Sequence, residues 1–241
     1  MPMINTQYTF RMAATAVSML ALVAASPALS AKGQNQAAPT PPNPEDWIDI
    51  TSWNYADLYE GWRATELLDA EAKGKSGETV GEIEDLIIGK DGKIKAAVVE
   101  GGGFMDIGDT HARIPWDKVE RTKTNAVNLP FDEDDFNSDV LVDVDDYSAR
   151  EGNYRLRELI GDTVRDGRGA GYGYVRDVIF SQDDMAEAVI VNPDYTYGYG
   201  GSHPVPYSAT GYRPYVADYW VPYMVKDLSQ IRPFDEDRLT N

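Results

Sequence analysis

The 241-residue chain contains no cysteine. Disulfides, thiolate metal sites and thiol nucleophiles are thereby excluded, as is lipid attachment at a cleavage-site cysteine. Histidine is scarce: only His111 and His203 could serve imidazole chemistry. Basic residues are few, 22 Lys and Arg against 40 Asp and Glu, for a formal charge of -18. Such a chain repels phosphate backbones and anionic headgroups, so no nucleic-acid partner is expected, and basic partners or cations are electrostatically favoured.

Charge is also missing from Met12 to Ala31. Met12–Ala25 has the length of a signal-peptide core, Ser26-Pro27 breaks it, and Ala28-Leu29-Ser30 presents small residues for cleavage. Residues 1–30 are expected to be a signal peptide cleaved after Ser30. The mature protein is then periplasmic, with no stable membrane span. The competing reading is an uncleaved anchor, for which the stretch is about long enough but alanine-rich and broken by proline. Residues 31–46, polar and proline-rich, read as a disordered linker.

What the chain does have is a copy of itself. A shift of 92 residues carries Trp62-Arg63 onto Tyr154-Arg155 and continues without a gap to Glu100 over Asn192. Arg63/Arg155, Gly81/Gly173, Asp85/Asp177, Ile87/Ile179 and Val99/Val191 coincide. One supersecondary unit used twice is implied. Val80–Ile88, then Asp91-Gly92, then Ile94–Glu100 reads as a hairpin. Ile94, Ala96 and Val98 are expected on one, more buried face of the second strand. The apolar phase switches at Asp85 and again at Asp177, which predicts a bulge at each. Pro115 and Pro206 fit only at an edge or bulge.

The motif Gly81-Glu82-Ile83-Glu84-Asp85, the Gly102-Gly103-Phe104 loop and Ile114-Pro115-Trp116 resemble the PRC-barrel family. Gly173-Tyr174-Val175-Arg176-Asp177 and Val205-Pro206-Tyr207 repeat that resemblance without the Gly-Gly-Phe loop. It implies a mostly β fold of two tandem small PRC-type β-barrels with short helical turns, and a docking module with no shared catalytic residues. The expected organisation is an aromatic strap at 47–61, with Asn54 capping a short helix that ends near Gly61. Barrel repeat 1 follows at 62–147 with an acidic extension. Repeat 2 occupies 153–232 and carries a Tyr/Gly/Pro-rich segment at 193–218. The strap is expected to lie across the first repeat.

No nucleophile–base signature is present, so the chain is read as a non-enzyme with no cofactor and no metal. The preferred function is a protein-interaction or structural module binding an unknown envelope protein. Its contacts would be Tyr195, Tyr197, Tyr199, Tyr207 and Tyr212 with Trp47 and Trp53, because tyrosine-rich adaptable loops suit binding. Gly81, Asp85, Gly92, Pro115, Trp116, Gly173, Asp177 and Pro206 are read as structural, each Asp tying a bulge or neighbouring N–H groups. Alternatives are a small-ligand or divalent-cation carrier using the tyrosine segment or the acidic residues from Asp132 to Asp146, and an assembly factor like the reaction-centre H subunit. Both histidines are expected at the surface.

Overall fold

The computed structural model describes residues 49–101, 110–122, 126–132, 135, 153–197, 200–208, 211–213, 217–228 and 230–239. The expected signal peptide and linker, Trp47, the Gly-Gly-Phe loop, Tyr199 and most of the expected acidic extension lie outside the described residues.

Within them the protein is mostly β. The strands are β1 (Trp62–Arg63), β2 (Glu71–Lys73), β3 (Thr79–Ile88), β4 (Ile94–Gly101), β5 (Thr110–Pro115), β6 (Glu120–Arg121) and β7 (Ala126–Asn128). The corresponding set is β8 (Tyr154–Arg155), β9 (Thr163–Arg165), β10 (Gly171–Phe180), β11 (Ala186–Pro193), β12 (His203–Pro206), β13 (Tyr212–Arg213) and β14 (Asp218–Trp220). They form two seven-stranded sheets of one topology, β5-β4-β3-β2-β7-β6 and β12-β11-β10-β9-β14-β13. β2 pairs with β7 in parallel, as β9 does with β14. Among the described residues no ladder joins the last strand of either path back to the first.

Turn chemistry sets the hairpins. Gly92 sits at φ 77° and the Lys93 N–H bonds Asp91 Oδ1 at 3.2 Å. The second hairpin has no glycine; Asp184 takes the left-handed position at φ 59°, which Asp tolerates better than most residues. Both expected bulges are present, as register shifts between Ile83 and Asp85 and between Val175 and Asp177. Pro115 and Pro206 end the edge strands β5 and β12.

β4 departs from the expected alternation. Ile88 pairs with Ile94 but Ile87 pairs with Ala96, so a bulge at Lys95 reverses the phase. Ile94, Ala97 and Val99 enter the main core, whereas Ala96 and Val98 pack with Ile87 on the other face, and both faces are buried. β11 repeats this: Val189 and Val191 face the main core, Ala188 and Ile190 the opposite side. The main core is one continuous cluster with members from both sheets, among them Leu86, Ile114, Tyr172 and Phe180.

The first strands are exchanged. β1 pairs with β10 of the other sheet (Trp62 with Phe180), and β8 pairs with β3 (Tyr154 with Ile88). The strap, which leads directly into β1, goes with it. Its 3₁₀ turn Ala56–Glu60 starts where Asn54 Oδ1 accepts the Ala56 N–H at 3.2 Å, and Gly61 ends it. Leu58 and Tyr59 cover Ile179, Ala188 and Ile190. The strap therefore packs on the outer face of the second sheet, against expectation, because the exchanged β1 delivers it there.

Candidate functional site

The strand exchange is held by a pair of buried carboxylates. Asp85 and Asp177 are each 1% exposed at their bulges. Asp85 Oδ1 accepts the N–H groups of Leu86 (2.8 Å) and Arg157 (3.1 Å), and Arg155 Nε donates to Oδ2 at 2.8 Å. Asp177 Oδ1 accepts the N–H groups of Val178 (2.8 Å) and Thr65 (3.1 Å), and Arg63 Nε donates to Oδ2 at 2.7 Å. Each arginine comes from the opposite repeat. Both aspartates tie backbone N–H groups at their bulges, and their cationic partners went unrecognised in the sequence. Burial pushes the Asp85 carboxyl up; the Arg155 and Arg157 hydrogen bonds only partly offset this.

The hairpin tips meet with the same reciprocity. Ile94 N–H bonds Asp184 O at 3.4 Å and Ala186 N–H bonds Gly92 O at 2.9 Å. Trp116 Nε1 donates to Asp184 Oδ2 at 2.7 Å. The Trp62 ring lies between Phe180 (5.0 Å between centroids) and Trp116 (6.3 Å), with the Arg121 guanidinium 4.2 Å from it. At the equivalent place the Tyr154 and Tyr207 hydroxyls are bonded to each other. At Gly81 and Gly173 a Cβ would strike the Glu100 and Asn192 carbonyls across the ladder, so both positions must be bare.

The proposed contact residues do not gather into one surface. Tyr195 opens a 3₁₀ turn after β11 and is 91% exposed. Tyr207 is half-buried against the main core, and burial raises its phenol to about 12. Trp53 is half-buried against both clusters, 5.6 Å from the Tyr55 ring. Tyr197 lies in the same turn as Tyr195, and Tyr212 in β13; only their backbones are described. Tyr174 was overlooked. It is 48% exposed on β10 and accepts a 3.0 Å bond from Asn192 Nδ2. Alternation does not single it out: Tyr172, two residues earlier on the same strand, is buried, and the register shifts between Gly171 and Gly173. Tyr174 and Tyr195 share one end of the β10–β11 ladder.

The acidic extension enters the description at Asp132 and Asp135. Asp132 accepts the Ser76 N–H at 2.9 Å, and Lys75 Nζ reaches Asp135 at 2.7 Å. Those contacts hold both carboxyls below their usual range, Asp132 chiefly through Ser76 and Asp135 through Lys75. Among the described residues no group of three or more His, Asp or Glu could hold a metal ion. His111 contacts Glu84 at 3.2 Å. His203, expected at the surface, is buried; Ile231 O lies 3.0 Å from its Nδ1, and burial lowers its proton affinity. Asp162 is buried beside Asp218 and Glu158; burial first, then their charges, push its carboxyl up to about 7. Asp218 itself is paired with Arg165 at 2.8 Å.

Residues 61–136, which contain β1 to β7, match the PRC-barrel domain. No curated protein matches the chain.

Proposed function

We propose, from the premise that this chain carries a PRC-barrel domain over residues 61–136, that it is an exported, non-enzymatic interaction module of the bacterial envelope. The second sheet, alike in strand order and offset by 92 residues, is read as a second copy of that domain. The supporting observation is the pair Tyr174 and Tyr195. They are the large apolar side chains left exposed among the described residues, while Tyr154, Tyr172 and Tyr219 are buried. Tyrosine gives broad contact area at low entropic cost, and a pair at one ladder end makes a compact docking patch. Export is supported by the uncharged stretch from Met12 to Ala31.

The test is a quantitative pull-down from periplasmic extract with the mature protein and its Tyr174→Ala/Tyr195→Ala variant. Capture of a partner by the parent and its loss from the variant supports the reading. Equal capture by both removes these tyrosines from the contact. Cell fractionation tests export separately: the protein should be recovered in the periplasm without residues 1–30.

A further inference from the structure

The two halves of this chain meet as two copies of one protein meet. Their principal contacts come in reciprocal pairs. Arg63 reaches Asp177 at 2.7 Å, and Arg155 reaches Asp85 at 2.8 Å. β1 adds to β10, and β8 adds to β3. The Ile94 N–H bonds Asp184 O, and the Ala186 N–H bonds Gly92 O. Between those two bonds Lys93 pairs with Met185 in an antiparallel bridge. The 92-residue shift carries Lys93 onto Met185, so this position of the repeat pairs with its own equivalent. Self-pairing at one point, with reciprocal contacts around it, is the mark of an isologous interface about a two-fold axis.

Neither half is complete by itself. Asp85 and Asp177 are each 1% exposed, and the arginine for each comes across the interface. A buried carboxylate stripped of its cation is costly, so a half parted from its mate needs another. Nothing in these contacts specifies which copy of the chain supplies that mate. Residues 129–153 connect β7 to β8, and a stretch of that length can span up to about 80 Å. A closed monomer and a dimer in which the first half of each copy docks on the second half of the other make the same contacts at this interface. The entropy of closing the tether separates the two, and protein concentration offsets it.

We infer that a second copy of this chain is a partner of the interface: two chains pair reciprocally, first half on second half, as a strand-exchanged dimer. The tyrosine docking patch plays no part in this, so either reading can fail without the other. The mature protein is unfolded in urea, refolded at concentrations from about micromolar to about millimolar, and sized by light scattering. The dimer fraction should rise with concentration. Two variants then identify the interface. Arg155→Ala strands the Asp85 carboxylate, and Asp85→Asn deprives Arg155 of its buried acceptor. Refolded together, they can escape both defects only by exchange: one interface of the mixed dimer regains Asp85 with Arg155, and the other carries neither charge. The mixture should be dimeric and melt roughly 10 °C above either variant refolded alone. Should one variant fail to fold by itself, it should still fold in the mixture. A mixture that melts like its separate components overturns the inference, whatever its mass. So does a parent protein that stays monomeric at every concentration.

Discussion

Where the first sheet carries Ala70 and Ala126, the second carries Asp162 and Asp218, equally buried and at equivalent places in the ladder. The outer faces differ too. Ile87, Ala96 and Val98 form a cluster of three, whereas Ile179, Ala188 and Ile190 are joined by Leu58, Tyr59 and Phe234. By contrast, the bulge aspartates, their arginines, the bare glycines and the reciprocal hairpin tips recur in both halves. What both sheets possess is what the exchanged architecture requires. What only the second possesses is surplus to it: a titrating carboxylate and an exposed tyrosine pair. Functional candidates therefore concentrate in the second half.

The largest break in this comparison comes from the arginines. Arg155→Ala leaves Asp85 buried with two backbone donors, and a loss of about 3–5 kcal/mol in urea denaturation is expected. Arg63→Ala should cost about 1 kcal/mol less, because Asp177 retains the Thr65 hydroxyl at 2.6 Å, a donor Asp85 lacks. The Arg155→Ala deficit should shrink at acid pH, where the orphaned carboxyl is neutralised. Similar losses at every pH would contradict the assignment.

Asp162 should act in the opposite direction. Its folded pKa of about 7 lies above its ordinary value. The folded state thus binds the extra proton, and stability falls as pH rises from the ordinary carboxylate range to about 7. Asp162→Ala, which copies Ala70, should stabilise the protein at pH 8 by on the order of 1–3 kcal/mol and do little near pH 4. Thermal denaturation at the two pH values checks this; a gain of equal size at both would discount the carboxylate.

Smaller effects sharpen the picture. Tyr207→Phe removes the hydroxyl bonded to Tyr154 and should cost about 1 kcal/mol in the same assay. Tyr195→Ala should change stability by less than about 0.5 kcal/mol, as expected of a side chain that packs on nothing.

Much of the fold was legible because turns and bulges are local. Asp91-Gly92 named one hairpin, and the phase switches at Asp85 and Asp177 named both bulges. The exchange was not legible. A repeat tells which residues are equivalent but not which copy supplies a contact, so β1 on β3 and β1 on β10 look alike in sequence. That degeneracy hid the Arg63–Asp177 and Arg155–Asp85 pairs and put the strap on the wrong sheet. The binding candidates were half legible. Tyrosine abundance pointed to Tyr195, but composition cannot separate it from Tyr207, whose ring fills the seam. Tyr174 needed the register shift between Gly171 and Gly173, which strand alternation alone does not show.

The exchanged strands have a bearing on how the chain comes to be folded. Arg63 emerges from the ribosome 114 residues ahead of its carboxylate, so the amino-terminal half cannot finish folding while it is being made. Conversely, two fragments divided between β7 and β8 each keep the groups the other lacks. Mixed together, they should reconstitute a single native-like particle, detectable by size-exclusion chromatography.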